Sequence, residues 1–208
     1  FITKGNSLSG KGGTYYCTIV KMLLSNSVNE ITVHNLVSDV RNRIEALLMT
    51  TNATSWKCID EEFRIIPPEE KNTRRVYDDI VTCINQKREY ECKDIFDTYC
   101  RPPYGMSEDV VVLMIAVICA NLSYCLRFRY NNTMVSVNNW KELVVIKDKK
   151  INIDVVRNSA LVMVDAGAVT GKYMRFFARV KSNKNITEVV SLEKILANMM
   201  AEDEIPEE

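Results

Sequence analysis

Imidazole, thiol and hydroxyl groups in the right company carry most acid–base and nucleophilic chemistry near neutral pH. This sequence of 208 residues offers few such companies. His34 is its one histidine, so a Ser-His-Asp or Cys-His site would have to use it. It lies in EITVHNLVSDVRNRIEALLM, which has the period of an amphipathic helix and no nucleophile signature nearby. His34 therefore reads as a helix-surface or half-buried residue. The cysteines are Cys17, Cys58, Cys83, Cys92, Cys100, Cys119 and Cys125, and no two have the two-residue gap of a zinc knuckle. Cys17, Cys119 and Cys125 stand among apolar residues, where a thiol packs as a small hydrophobe. Reduced thiols in a cytoplasmic protein are the expectation. Cys83, Cys92 and Cys100 have the one spacing that could gather around a metal. The expectation is nevertheless no catalytic residue, no metal and no cofactor.

Two segments approach a phosphate-binding loop. Gly5-Asn-Ser-Leu-Ser-Gly10-Lys11-Gly12 satisfies G-x-x-x-x-G-K and then fails, because the next residue must bring a hydroxyl to Mg²⁺. Such a loop also comes after a buried strand, and only Phe1 to Lys4 precede this one. The second segment has an apolar run, Ala160 to Val164, leading into Asp165-Ala-Gly167-Ala-Val-Thr170-Gly171-Lys172-Tyr173. Its spacing is one residue short, and Tyr173 replaces the hydroxyl residue. A strand-to-helix turn can still hold an anion at the helix N-terminus. Gly167, Gly171 and Lys172 are thus a candidate phosphate contact, with an ordinary turn as the plainer alternative.

Charge is the remaining signal. Lys plus Arg and Asp plus Glu number 27 each, so no global field favours nucleic acid or a membrane surface. The distribution is uneven. Arg127, Arg129, Lys141, Lys147, Lys149 and Lys150 face only Glu142 and Asp148 in the same stretch. Lys172, Arg175, Arg179, Lys181 and Lys184 come next with no acid among them. Helical spacing puts Lys172, Arg175 and Arg179 on one face. Cations so arranged suit phosphate contacts, which are sequence-independent and salt-sensitive. The candidate nucleic-acid contacts are Arg127, Arg129, Lys147, Lys149, Lys150, Arg175 and Arg179. The alternative is a solvated face.

The elements that must position these residues are mostly helices. Helical period runs over residues 14–24 and 30–49, and Pro67-Pro68 stops the irregular or briefly helical stretch from Trp56 to Ile66. Asn72 or Thr73 can cap a third helix, and a short one surrounds Ile95, Phe96 and Tyr99. Arg101-Pro-Pro-Tyr-Gly105 is a stiff turn that fixes Tyr104. Ser107 then caps a helix apolar nearly all round, too short for a bilayer and fit for the core. Residues 124–130 alternate as a strand, Asn131-Asn132-Thr133 turns, and residues 134–137 can pair back. Asn138 or Asn139 can cap a short helix, 160–164 is a buried run, and 172–181 and 188–200 look helical.

The stretch RPPYGMSEDVVVLMIAVICANLSYCLRFRYNN resembles the region after the ATPase core in large bacterial P-loop ATPases, among them BREX-type phage-defence ATPases. The matching positions are Pro102, Pro103, Tyr104, Gly105 and the helix from Ser107, with Asp60-Glu-Glu-Phe63 loosely similar. The resemblance implies a helical module followed by a winged-helix-like piece. The family's nucleotide-binding motifs are not recognisable in this chain, so it implies an accessory domain rather than the catalytic one.

The expectation is an α+β, mainly helical chain. A helical part over 1–100 precedes a winged-helix-like helix-strand-strand unit over 101–208, unless the two form one continuous domain. Phe1 in place of Met and the lack of a signal-peptide pattern fit a domain of a longer protein. Its expected role is a non-catalytic accessory module of an ATPase that contacts DNA or RNA, without membrane association. The alternative is a protein-interaction or assembly module with Tyr104 and Trp140 as contacts.

Overall fold

A computed structural model describes residues 11–164, apart from Tyr124 and residues 147–149. The described residues through Met163 belong to one compact unit. Among them, helices α1 (Lys11–Leu24), α2 (Glu30–His34), α3 (Ser38–Leu47) and α4 (Lys71–Lys87) come first. Strand β1 (Glu89–Glu91) leads into α5 (Cys92–Tyr99) and α6 (Glu108–Asn121). After these come β2 (Leu126–Tyr130), β3 (Thr133–Val135), α7 (Val137–Val144), β4 (Val145–Ile146), β5 (Lys150–Ile151), α8 (Ile153–Arg157) and β6 (Ser159–Met163). The mixed α+β expectation holds.

The single helix expected over 30–49 is two. α2 ends where the Asn35 N–H donates to the Ile31 carbonyl (3.1 Å) and the Leu36 N–H to the Val33 carbonyl (3.2 Å), and Val37 is extended, with φ −58° and ψ 145°. β-Branched Ile31, Thr32 and Val33 followed by Asn35 make a weak helix, and apolar spacing alone could not reveal the break. The α4 cap also differs from the expected Asn72 or Thr73. The Glu70 carboxylate accepts the N–H groups of Asn72 (3.1 Å) and Thr73 (2.8 Å), satisfying two orphan donors and placing negative charge at the helix N-terminus. Likewise Ser136 caps α7, by accepting from Asn139. Ser107 holds the N-cap position of α6 but forms no side-chain cap bond.

Four antiparallel strands form a sheet in the order β1-β6-β2-β3. Asn131 and Asn132, with φ 49° and 60°, make the tight β2–β3 turn that residues tolerant of positive φ allow. β6, the apolar run anticipated at 160–164, slots between β1 and β2. The sheet therefore joins segments on both sides of residue 100. The period-2 alternation puts Tyr90, Leu161 and Phe128 on the inner face and Glu91, Ala160, Arg129 and Met134 in one row on the outer face.

α6 sits at the centre. Every residue from Val110 to Ala120 is buried. Acidic Glu108 and Asp109 sit in its first turn, where negative charge suits the helix dipole. α1 packs along it through a face bearing Tyr16, Ile19, Val20 and Leu23, all at most 2% exposed. Each such side chain contributes about 1.5–3 kcal/mol by leaving water. Among the described residues no helix is long and apolar enough to cross a membrane.

Candidate functional site

Of the seven candidate nucleic-acid contacts, three fall within the described residues. Arg127 and Arg129 lie on the outer face of β2, as the alternation predicted. Their partners lay hidden in the sequence. β6 separates β2 from β1, and its residue in the Arg129 row is Ala160, small enough for the arginine to reach across. Arg129 donates through Nε to Glu89 Oε1 (2.9 Å), and its Nη2 reaches both Glu89 and Glu91, the latter at 2.5 Å. These hydrogen bonds to Glu89 and then Glu91 raise the guanidinium pKa further. Arg127 turns to the backbone and donates Nη1 to the Ser123 (3.2 Å) and Leu126 (2.9 Å) carbonyls. Lys150 is on the β4–β5 hairpin, exposed, and opposite Ile146. These three cations thus divide between two elements, and Arg129 is neutralised in place. Lys147, Lys149, Arg175 and Arg179 lie outside the described residues, as do Gly167, Gly171 and Lys172.

The two aromatic contact candidates part ways. Trp140 is core: it is 0% exposed and stacks on Phe128 with ring centroids 3.6 Å apart. Its Nε1 donates to Ser159 Oγ (2.8 Å), which donates to the Val155 carbonyl (2.7 Å). Tyr104 is half-buried. The Arg101 carbonyl accepts from the N–H groups of Tyr104 (3.0 Å) and Gly105 (2.9 Å), with Gly105 at φ 60°. That closes the turn, and the Tyr104 ring meets Tyr99 edge-on at 4.8 Å.

His34 is exposed, as expected, with Nδ1 2.8 Å from the Glu30 carbonyl and its ring beside Phe63. Among the described residues no three His, Cys, Asp or Glu side chains gather as a metal site. Burial pushes the Cys58, Cys92 and Cys119 thiols well up, which keeps them protonated and inert. Among the described residues, the large apolar side chains left exposed are Ile31 and Val37, flanking the α2–α3 break, and Met134, Leu143 and Ile146. The last three all fall between β2 and β6. Sequence reasoning passed over them because Leu143 and Ile146 extend an apolar run whose neighbours Val144 and Val145 are buried.

No family model, curated protein or solved structure matches the chain.

Proposed function

We propose that the chain is a non-catalytic protein-interaction or assembly module of a larger P-loop ATPase, built on a winged-helix-like frame. The parent class rests on the resemblance carried by Pro102 to Gly105 and the helix from Ser107. Connection order supports the frame: α4, β1, α5, α6, β2 and β6 run helix, strand, helix, helix, strand, strand, and the last strand lies between the other two. Such a frame serves nucleic-acid and protein partners alike, so the surface must decide. Helix-turn-helix proteins read the major groove with side chains exposed on the second helix of the motif. Here the corresponding α6 is buried and carries no lysine or arginine.

The observation that carries the protein-partner reading is the exposure of Met134, Leu143 and Ile146 in the β2–β6 connection. Exposed apolar side chains mark an interface where they form one patch, and these three stand in a single connection of the chain. Light scattering over a range of protein concentrations tests it. The expected result is an average mass that rises with concentration and falls back toward the monomer in a Leu143→Ser/Ile146→Ser double variant. A monomer throughout, with the double variant indistinguishable, would count against assembly.

A second reading has one specific support. The exposed pair Ile146 and Lys150 forms an outer rung of a hairpin whose connecting residues include Lys147 and Lys149. That hairpin lies in the β2–β6 connection, where the frame would carry its wing, and DNA or RNA phosphates suit it. Anisotropy of a labelled duplex tests this; binding must weaken steeply between about 50 and 200 mM salt for the reading to stand.

A further inference from the structure

Among the described residues the four-stranded sheet ends in two outer strands, β1 and β3. The ladder decides which of their backbone groups stay open. The Met163 N–H donates to the Arg88 carbonyl (2.8 Å), so Met163 and Leu161 turn their backbone groups toward β1, and Val162 and Ala160 turn theirs toward β2. Arg127 and Arg129, opposite Val162 and Ala160, therefore bond to β6. Phe128 and Tyr130 are left to bond β3, through Val135 and Thr133. Met134 lies between those two residues. Its N–H and C=O point out of the sheet, and neither has a hydrogen-bond partner among the described residues. An open edge is a template for another strand, and edges that stay single are guarded by charge, proline or a bulge. β1 is guarded in that way, for it reads Glu89-Tyr90-Glu91. β3 reads Thr133-Met134-Val135, and no residue from Tyr130 to Trp140 is charged. Its central side chain, Met134, is 49% exposed.

We propose that β3 pairs antiparallel with β3 of a second copy of this chain, about a twofold axis that passes between the two Met134 residues. The pairing rests on the protein-interaction reading above and gives it a partner and a register. Each Met134 N–H donates to the Met134 carbonyl of the other copy, two reciprocal bonds that suit an isologous contact. Thr133 of each copy stands opposite Val135 of the other. The two Met134 side chains meet directly on the outer face and leave water together. The charge pattern selects this occupant. A twofold pairing sets a stretch against itself, so a charge near its centre would meet a like charge. The stretch around Met134 has none. The same pairing at β1 would bring Glu89 of one copy against Glu91 of the other, which like-charge repulsion opposes.

The test is light scattering on the full chain and on Met134→Lys and Met134→Glu, each alone and the two mixed in equal amounts. Met134 is exposed, and its β2 neighbour Arg129 is already held by Glu89 and Glu91, so both variants should melt close to the parent protein. The expected result is a dimer in the parent, association weakened about five- to tenfold in each variant alone, and recovery in the mixture. Like charges oppose each other in a pure variant, and opposite charges meet in the mixture. A second readout needs no substitution: the Met134 amide of the parent, followed by NMR, should exchange more slowly as concentration rises. An assembled parent whose Met134 amide exchanges unchanged, or variants that associate as tightly as the parent, would overturn the β3 pairing and leave the interaction reading to Leu143 and Ile146. Variants that stay weak when mixed would overturn the twofold register, because residue 134 would then meet something other than its own copy. A parent monomeric at every concentration would overturn the pairing and the assembly reading together.

Discussion

Replacing Arg129 by Ala separates a structural arginine from a nucleic-acid contact. Its guanidinium bridges Glu89 and Glu91 across β6, with about a third of its own side chain and under half of each glutamate left in solvent. Ion pairs that wet contribute about 0.2–1 kcal/mol each. Removing the arginine also uncovers Ala160, now 0% exposed, and leaves two carboxylates on one strand without a counter-charge. The sum is a loss of about 1–2 kcal/mol. At 2–4 °C per kcal/mol for a chain of this size, the melting temperature should fall by about 2–8 °C. Urea denaturation of Arg129→Ala, Glu91→Ala and the double variant should give a coupling energy of about 0.5–1 kcal/mol. Arg129→Lys should recover only part of the loss, because an ammonium cannot bond both carboxylates as a fork does. An unchanged midpoint in Arg129→Ala, together with a marked loss of duplex binding, would refute this account of the residue.

The packing sets three further outcomes. Trp140→Phe should cost about 2–3 kcal/mol by denaturation, losing volume and the bond to Ser159; Trp56→Phe should cost clearly less, because the buried Trp56 Nε1 has no partner among the described residues. Arg88 ends α4 in the left-handed region at φ 62°, at a cost near 1–2 kcal/mol for a side-chain-bearing residue. Arg88→Gly should therefore raise stability by about 0.5–1 kcal/mol after the extra freedom of the unfolded chain is counted. Stability should fall in acid. At Asp60 burial acts upward, but the Arg64 amide and guanidinium prevail, and at Glu70 the Thr73 and Asn72 donors likewise outweigh burial, so both folded pKa values lie below the ordinary range. Depressed folded values give stabilisation that is present above the unfolded pKa near about 4 and lost as pH falls through the folded values. Asp109, raised by burial and by Glu108, works in the opposite sense. Melting temperatures from neutral pH down to about pH 3 check the net fall, which Glu70→Gln should blunt.

What the sequence made legible was local. The α6 helix, the alternating β2 strand and the Asn131-Asn132 turn each carry their signal within a few residues, and each lies where it was expected. Contacts between distant segments left no such trace. β1 is three residues, Glu-Tyr-Glu, too short to show a period, and its place is set only when β6 arrives some 70 residues later by pairing Tyr90 with Leu161. The acids that neutralise Arg129 sit 40 and 38 positions away. A run of basic residues therefore looked like an open surface.

Hydrogen exchange of the chain at low and high protein concentration tests the interaction surface most directly. The account predicts slowed exchange on concentration within residues 133–146, around Met134, Leu143 and Ile146, and no change along α6, which is already buried. Protection that rises elsewhere while residues 133–146 stay unchanged, or that appears only when nucleic acid is added, would contradict it.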